Sequence, residues 1–249
     1  MRYLIFIRNI KNWWLYLLNK SGLAKRDPLL FKTRGDIIVE VPRGLLHTFK
    51  EIFMDECYMH GPTHMIPPCP VIIDIGANAG YFSLYAASRF ANARIFAYEP
   101  MPPNFEQLMR NVNLNKNSKI IAFQKAVADY SGETVMIFDN SEHFPTTAQM
   151  LIYESKLDNK NNRIRVQCVT IKDIFDENKL DICDFLKIDS EGAEHEIIFN
   201  CPMEYLYRIK QFAIEVHGDA KPLIDYLSSK GFATYETKKA LGMLYAWKA

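Results

Sequence analysis

Residues 71–84 read Val71-Ile72-Ile73-Asp74-Ile75-Gly76-Ala77-Asn78-Ala79-Gly80-Tyr81-Phe82-Ser83-Leu84. This run gives the strongest structural signal in the sequence. A short apolar run ends in a carboxylate, two glycines follow four residues apart, and an apolar pattern at helical spacing comes next. This order predicts a buried strand, a tight turn and the start of a helix. Glycines let a ligand approach the backbone, and a helix N-terminus offers unpaired N–H groups. The turn is therefore a candidate site for a nucleotide-type ligand.

The spacing of the two glycines discriminates between nucleotide ligands. A dinucleotide fingerprint requires G-x-G-x-x-G, in which the second glycine admits the pyrophosphate. Asn78 stands at that second position, which disfavours NAD and FAD. The form D-x-G-x-x-x-G instead resembles the S-adenosylmethionine loop of class I methyltransferases. The residues that we expect to contact the cofactor here are Asp74, Gly76, Ala77, Asn78, Gly80 and Phe82.

Length and composition suit one α/β domain with a short extension, or at most two small domains. The chain has 249 residues, of which 49% are hydrophobic and 24% charged, so a sizeable core is expected and disorder is not. A net charge of +1 gives no general attraction to nucleic acid. The five cysteines form no C-x-x-C pair, which argues against a zinc or disulfide framework. We therefore expect reduced thiols in a cytoplasmic enzyme.

The first 26 residues carry six basic side chains and no acidic one. The apolar stretch 3–18 is too short and too charged for a membrane span and lacks a signal-peptide cleavage site. We predict a basic amphipathic helix over 1–26, which either docks on the domain or on a second subunit, or lies peripherally on an anionic membrane. Residues 27–70 are predicted to be an extension that packs on the core, and 71–249 to be the main domain.

From residue 71 onward, strand and helix patterns alternate. The predicted strands are 71–75, 93–99, 119–123, 182–188 and 211–216, with helices at 81–90, 102–115, from 193 and at 222–230. Such alternation predicts a parallel sheet. A hairpin-like pair is expected at 133–138 and 163–169, and an antiparallel pair at 232–236 and 244–248. The polar loop 139–162 is long enough to contact an acceptor, and its Ser141, His143, Thr146, Thr147 and Gln149 suggest a polar one.

Acidic residues follow the second and third predicted strands. Ligands of open α/β sheets bind outside the carboxyl ends of the strands, where a carboxylate can hold both hydroxyls of a ribose. Glu99, followed by Pro100, stands at the end of the second strand and is the candidate. Ala128 and Asp129 follow the third strand, and Asp129 could accept the adenine amino group or simply form a turn before Ser131.

Two further clusters combine acids with a histidine. The run Phe185-Leu186-Lys187-Ile188-Asp189-Ser190-Glu191-Gly192-Ala193-Glu194 delivers Asp189 and Glu191 to the same edge as Asp74, although Ser190 could serve only as a helix cap. Glu215 and His217 are two residues apart on the last parallel strand and share a face. A histidine there is a candidate general base near neutral pH, or else has a structural role.

Four motifs, taken in order, resemble those of the FkbM family of S-adenosylmethionine-dependent methyltransferases. They are Asp74-to-Gly80, Tyr98-Glu99-Pro100, Phe185-to-Glu194 and Ile214-Glu215-Val216-His217. The resemblance covers roughly residues 45–217. It implies a class I, Rossmann-like fold with a mostly parallel seven-stranded sheet and helices on both faces. It also implies S-adenosyl-L-methionine as the cofactor and, most often, O-methylation of a hydroxyl on a sugar or natural product.

The protein must then align the acceptor hydroxyl behind the activated methyl group and remove the proton of that hydroxyl. We predict that Asp74 and the glycine turn hold the methionine end and that Glu99 holds the ribose. Asp189 and Glu191 would line the methyl end, and His217, oriented by Glu215, would be the base. A mechanism assisted by a metal that Asp189 and Glu191 hold is an alternative. Two alternative functions are an NAD-dependent oxidoreductase and a non-catalytic membrane-associated binding module.

Overall fold

The chain is described by a computed structural model over residues 2–23, 26–139, 144–145, 149–150, 161–237 and 242–248. The helices are α1 (Arg2–Asn9), α2 (Trp14–Lys20), α3 (Leu46–Phe53), α4 (Tyr81–Arg89), α5 (Pro102–Leu114), α6 (Ile171–Glu177), α7 (Glu194–Phe199), α8 (Met203–Leu206) and α9 (Lys221–Ser229). The strands are β1 (Leu29–Lys32), β2 (Ile38–Val41), β3 (Val71–Ile75), β4 (Arg94–Tyr98), β5 (Lys119–Phe123), β6 (Ala126–Val127), β7 (Gly132–Asp139), β8 (Gln149–Met150), β9 (Asn161–Val169), β10 (Phe185–Ile188), β11 (Gln211–Glu215), β12 (Phe232–Glu236) and β13 (Met243–Lys248).

A seven-stranded sheet with the order β12-β13-β11-β10-β3-β4-β5 forms the centre of the described structure. The pairs from β11 across to β5 are parallel, whereas β13 runs antiparallel to both β11 and β12. This confirms the predicted class I fold, including its closing antiparallel pair. Because β3, β4, β10 and β11 run the same way, their carboxyl ends meet at one edge of the sheet.

Both faces of this sheet are covered, so its central strands are apolar on both sides. On β3, Ile72 belongs to an apolar cluster shared with α1, α3, α4 and α5, and its neighbour Ile73 belongs to a second cluster shared with α6 to α9. The period of two in a strand places successive side chains on opposite faces. The continuous apolar run of the sequence is therefore the signature of a strand buried between two layers of helices.

A smaller sheet with the order β6-β9-β7-β8 lies beyond β5 in the sequence. β7 and β9 pair antiparallel from Gly132 opposite Cys168 to Asp139 opposite Asn161, which confirms the predicted hairpin-like pair. Of the polar loop residues that the sequence suggested for the acceptor, Ser141, His143, Thr146 and Thr147 lie outside the described residues.

The predicted single helix at the N-terminus is wrong, because the structure has two short helices there, α1 and α2. The break follows from tertiary contacts. Ile10 forms an antiparallel bridge with Thr33, and the Asn9 amide donates to the carbonyl oxygen of Phe53 (3.1 Å). These contacts draw the backbone at Asn9–Ile10 into pairing with the start of the extension. No helix in the described ranges is long and apolar enough to cross a membrane.

Candidate active site

The turn after β3 is built around its two glycines. The N–H groups of Gly76 and Ala77 donate to the carbonyl oxygen of Tyr98 (3.0 and 2.9 Å), which ties the turn to the end of β4. Gly76 has a φ of +70°, and a Cβ there would lie 1.7 Å from the carbonyl oxygen of Asp189. At Gly80, φ is +80° and a Cβ would lie 2.4 Å from Leu108 Cδ1. The positive φ favours glycine at both positions, and at Gly76 the approach of the Asp189 backbone also excludes a side chain.

Glu99 is held by two backbone N–H groups at the mouth of this turn. Asn78, itself at a φ of +50°, donates its N–H to Glu99 Oε2 (2.8 Å), and Met101 donates to Oε1 (2.9 Å). Burial raises the pKa of Glu99 to about 7, against the opposing effect of these two donors. Each carboxylate oxygen keeps a second lone pair, so both can accept from a diol.

Asp74 lies behind the turn and not in the cleft. Its side chain is fully buried, accepts from Ser83 Oγ (2.6 Å) and lies 3.3 Å from Lys187 Nζ. Lys187, also buried, donates to the carbonyl oxygens of Ile75 (3.1 Å) and Gly76 (2.5 Å). Burial opposes the Lys187 charge, but Asp74 and Asp189 outweigh it and raise the pKa of Lys187. Asp74 thus acts on the turn through Lys187.

A cleft that is open to solvent lies at the carboxyl edge of the sheet. Five of the predicted cofactor residues line it, namely Gly76, Asn78, Glu99, Pro100 and Asp189, together with Glu191. The other predicted residues lie outside the lining: Asp74, Ala77, Gly80, Phe82 and Ala128 are buried, and Asp129 is exposed. The lining residues that were not predicted are Ile75, Tyr98, Met101, Asn104, Lys125, Ala126, Val127, Met136, Pro145 and Ser190.

Asn104 on α5 brings an unsatisfied acceptor to this cleft. Its side chain is buried, and its Nδ2 donates to the carbonyl oxygen of Pro145 (2.6 Å). That donation fixes the amide orientation and leaves Oδ1 without a hydrogen-bond partner among the described residues. A buried acceptor without a partner is costly, so it indicates a missing donor from a ligand or water.

Asp189 and Glu215 are joined by Tyr58, which comes from the N-terminal extension. The Tyr58 hydroxyl lies 2.9 Å from Asp189 Oδ2 and 2.9 Å from Glu215 Oε2. One hydroxyl has one proton, so it donates to one carboxylate and accepts only from a protonated partner. Burial and the nearby charge of Asp189 raise the pKa of Glu215 to about 7, so Glu215 is partly protonated near neutral pH and can then donate to the Tyr58 hydroxyl.

His217 lies between two glutamates at the same edge. Its Nδ1 is 3.1 Å from Glu194 Oε1, and its Nε2 is 3.4 Å from Glu191 Oε2. The hydrogen bond to Glu194 raises the pKa of His217 to about 9 against the effect of burial. The orienting partner is therefore Glu194, whereas Glu215 is occupied by Tyr58. Burial, followed by the charge of Asp189, raises the pKa of Glu191 to about 7.

The edge as a whole has more acidic than basic groups, and it could hold a cation. Asp189, Glu215 and His217 each offer a ligand atom, and these atoms lie within 4.8 Å of one another. The two strands β10 and β11 end side by side, which is why residues far apart in sequence meet here. Glu191, which the sequence paired with Asp189 for a metal, is not in this set and faces His217 instead.

Sequence reasoning missed Lys187, Tyr58, Glu194 and Asn104 as members of the site. A signal existed for Lys187, since a lysine between Leu186 and Ile188 in a buried strand requires a charged partner. Glu194 opens α7 next to two predicted acids, but its full burial depends on the fold. Tyr58 and Asn104 carry no local pattern that separates them from other surface or helix residues.

Comparisons with known proteins point to one family. Residues 74–233 match the family described as the methyltransferase FkbM domain. Methyltransferase 1 of Beauveria bassiana is 30% identical over 200 residues, which cover 74% of this chain and 79% of that protein. The 31-O-demethyl-FK506 methyltransferase FkbM of Streptomyces tacrolimicus is 26% identical over 213 residues, covering 74% and 80%.

Among solved structures, the crystal structure of methyltransferase FkbM from Methylobacillus flagellatus is similar, with a TM-score of 0.52 and 14% identity. The match covers 82% of this chain and 54% of that chain, so this chain spans about half of that protein's length. At this identity the similarity concerns the fold alone.

Proposed function

This chain belongs to the FkbM methyltransferase family, and from that premise we propose that it transfers a methyl group from S-adenosyl-L-methionine to a hydroxyl oxygen of a carbohydrate or natural-product acceptor. Family membership confirms the predicted family, the methyltransferase activity and the predicted methyl donor. The oxygen and the class of acceptor are proposals. The observation that carries them is the acidic edge around Asp189, next to a histidine that can take a proton.

The hydrogen-bonding groups that line the cleft support one proposed orientation of the donor. Glu99 would accept the two ribose hydroxyls, since both its oxygens have a free lone pair. We place the adenine ring towards Asn104, because Asn104 Oδ1 needs a donor that the adenine amino group can supply. Asp129, the residue predicted for this role, is exposed and outside the lining. The methionine end would then lie along the Gly76–Gly80 turn, near Asp189 and Glu191.

Electrostatics support a cationic donor. S-adenosylmethionine supplies a methyl group already activated by a positively charged sulfonium, and it also carries an ammonium group. Asp189, Glu191 and Glu215 provide carboxylates at that end, and two of them have a pKa raised to about 7. Such groups are destabilised as neighbouring anions, and a cation beside them removes that cost.

The acceptor proposal is supported by the names of relatives. The protein from Streptomyces tacrolimicus is named as a 31-O-demethyl-FK506 methyltransferase, which acts on an oxygen of that compound. A carbohydrate hydroxyl has the same chemistry: it is a weak nucleophile whose proton must be removed as the O–C bond forms.

His217 is the proposed proton acceptor, with Glu194 as its positioning residue. The Glu194 carboxylate holds Nδ1–H, which leaves Nε2 facing the edge near Glu191. With a pKa of about 9, only about one His217 in a hundred is neutral at pH 7. Turnover that depends on this base should therefore rise roughly tenfold per pH unit from about pH 7 until it levels off near the pKa.

Replacement of His217 tests this assignment. His217→Ala should keep S-adenosylhomocysteine affinity by calorimetry while turnover falls by about two to four orders of magnitude. His195→Ala is the matched control, because His195 bonds the Asp219 carbonyl oxygen and does not face the site. Unchanged turnover in His217→Ala would remove it from the mechanism.

The acceptor is identified by transfer of labelled methyl from S-adenosylmethionine into panels of glycans, polyketide-type natural products and lipids. Recovery of the label as a methyl ether supports O-methylation, and label only on nitrogen or carbon contradicts it. Chelator treatment of the same assay tests a metal at Asp189, Glu215 and His217, since loss of turnover with retained donor binding would require one. A thermal shift with S-adenosylhomocysteine but not with NAD would exclude the oxidoreductase alternative.

A further inference from the structure

The N-terminal helices expose an apolar face that the proposed function does not use. On α2, Trp14, Leu17 and Leu18 stand at i, i+3 and i+4, and are 52%, 43% and 40% exposed. This is the reverse of an ordinary surface helix, whose apolar stripe faces the core. On α1, Tyr3 and Leu4 are exposed as well, Leu4 to 72%.

The same two helices border an apolar cleft. Its volume is about 310 Å³, and it is lined by Tyr3, Phe6, Ile7, Trp13, Tyr16 and Leu17. Phe6 and Tyr16 form its buried floor, and their rings meet edge to face at 5.7 Å. An acyl chain or an apolar side chain of another molecule can enter such a cleft without desolvating a polar group.

Basic side chains outnumber acidic ones around this face. The first 26 residues hold no acidic side chain, and residues 1–60 hold ten basic side chains against six acidic ones in a chain with a net charge of +1. Arg2 and Arg8 form ion pairs with Asp55 and Glu56, yet their side chains stay 59% and 56% exposed. Lys20 lies beside the Tyr3 ring, with its Nζ 6.0 Å from the ring centroid.

We propose that α1 and α2 form a surface that binds an anionic lipid bilayer peripherally, with Leu4, Trp14, Leu17 and Leu18 in the interfacial region. Trp and Tyr prefer that region, because their rings are apolar and their polar atoms reach water. Basic side chains at the rim add attraction to anionic headgroups. Helices of 8 and 7 residues lie in the plane of the surface and do not span it.

A second copy of the chain is a poorer match than a bilayer for the surface formed by α1 and α2. A two-fold dimer places the same patch against itself, so two predominantly basic rims face each other across the interface. With no acidic residue in the first 26, the helices offer no complementary charge of their own. An anionic bilayer satisfies both the apolar stripe and the basic rim.

Vesicle co-sedimentation tests the proposal. The full chain should sediment with phosphatidylcholine vesicles that contain phosphatidylserine and bind much less to phosphatidylcholine alone. The triple variant Trp14→Ser, Leu17→Ser, Leu18→Ser should lose binding by about tenfold or more, because it removes three exposed apolar side chains that the bilayer would bury. Lys20→Gln should lower binding to anionic vesicles by about fivefold, as expected for one basic residue near the surface.

Matched controls distinguish binding through this surface from nonspecific adsorption of exposed apolar residues to vesicles. The variant Leu114→Ser, Ile121→Ser, Tyr130→Ser removes three exposed apolar residues outside α1 and α2 and should bind vesicles like the parent. Both triple variants should keep the thermal unfolding midpoint and the affinity for S-adenosylhomocysteine. Equal binding to neutral and anionic vesicles, equal losses in both triple variants, or a dimer that the α2 variant converts to monomer would overturn the proposal.

Discussion

Gly76 shows how closely a single position constrains the turn. Its missing side chain leaves room for the Asp189 carbonyl oxygen, which a Cβ would meet at 1.7 Å, and the neighbour is backbone that cannot move aside. The constraint therefore joins β3 to the loop after β10. A glycine is needed here because the two parallel strands deliver their ends to the same point.

The Gly76→Ala variant should be destabilised by more than about 3 kcal/mol, since backbone strain at positive φ adds to a backbone clash. Gly231→Ala is the control: it has a φ of +83° but nothing within 4 Å of the added Cβ, so it should lose only about 1 kcal/mol. Urea unfolding measures both. Equal losses would mean that conformation alone, and not the approach of Asp189, requires the glycine.

A second prediction at the residue scale concerns Asn104 and the binding of the methyl donor. Asn104→Ala should weaken S-adenosylhomocysteine about tenfold by calorimetry, because a buried hydrogen bond to the adenine amino group is lost. The same substitution should have little effect on S-inosylhomocysteine, which has oxygen in place of that amino group. If both ligands weaken equally, Asn104 supports the cleft wall and does not read the base.

At the scale of elements, α5 holds the N-terminal extension through asparagine side chains. Asn111 Oδ1 accepts from the N–H of Glu40 (2.8 Å), and Asn115 Oδ1 accepts from the N–H of Ile38 (2.8 Å). Asn115 Nδ2 also donates to the Ile38 carbonyl oxygen (2.7 Å). These side chains take the place of a neighbouring strand along β2, whose backbone groups would otherwise be buried without partners.

Asn111→Ala should therefore lower the free energy of unfolding by about 1–3 kcal/mol, as expected when buried backbone groups lose their partner. Asn113→Ala, on the exposed face of the same helix, should stay within about 0.5 kcal/mol of the parent. Denaturant unfolding provides the comparison. A similar loss at both positions would indicate a helix-propensity effect and not docking of β2.

The extension also contributes to the site, because Tyr58 follows α3 and reaches Asp189 and Glu215. Its ring lies under the Lys187 ammonium, with Nζ 5.1 Å from the centroid, and meets Phe82 edge to face. The segment that docks through α5 thus positions a hydroxyl between two carboxylates. Loosening the extension should disturb the site even where no active-site residue is changed.

On the scale of the whole molecule, the titrating groups of the site link stability to pH. Glu99, Glu191 and Glu215 have a folded pKa of about 7, raised by burial, and that of His217 is about 9, raised by its hydrogen bond to Glu194. A raised folded pKa contributes stability that is complete below the unfolded pKa and is lost as the pH rises through the folded pKa.

For the ligand-free protein, the unfolding free energy should therefore fall from about pH 4.5 to about pH 7 through the three glutamates. It should fall further from about pH 6.5 to about pH 9 through His217. Urea unfolding across this range measures the trend, and His217→Asn should flatten its upper part. A stability that rises over the same interval would contradict the raised pKa values.

The donor should reverse part of this trend. Binding a sulfonium and an ammonium favours ionised carboxylates, so S-adenosylmethionine should bind with proton release and more tightly from about pH 6 to about pH 8. S-adenosylhomocysteine lacks the sulfonium charge and should release fewer protons. Calorimetry in buffers of different ionisation enthalpy counts them; equal release for both ligands would rule out a response to the sulfonium.

The sequence by itself determined the sheet and the position of the donor loop. Strand and helix alternation, the Asp74–Gly80 spacing and the acids at strand ends are local patterns, and parallel strands must bring their carboxyl ends to one edge. These patterns sufficed to predict a parallel sheet and to collect Glu99, Asp189, Glu191, Glu215 and His217 at its edge, and the resemblance of the motifs to the FkbM family implied the class I fold.

Only the tertiary structure decided which of these residues contact one another. In the folded chain Asp74 lies beside Lys187, His217 contacts Glu194, and Glu215 contacts Tyr58. Asn104 Oδ1 has no hydrogen-bond partner in the part of the chain that the structure describes. Burial and distance set these partners, and both depend on residues up to 157 positions apart. Sequence spacing does not predict which distant residues become partners, because the energy of a buried polar group depends on the groups that the folded chain brings beside it.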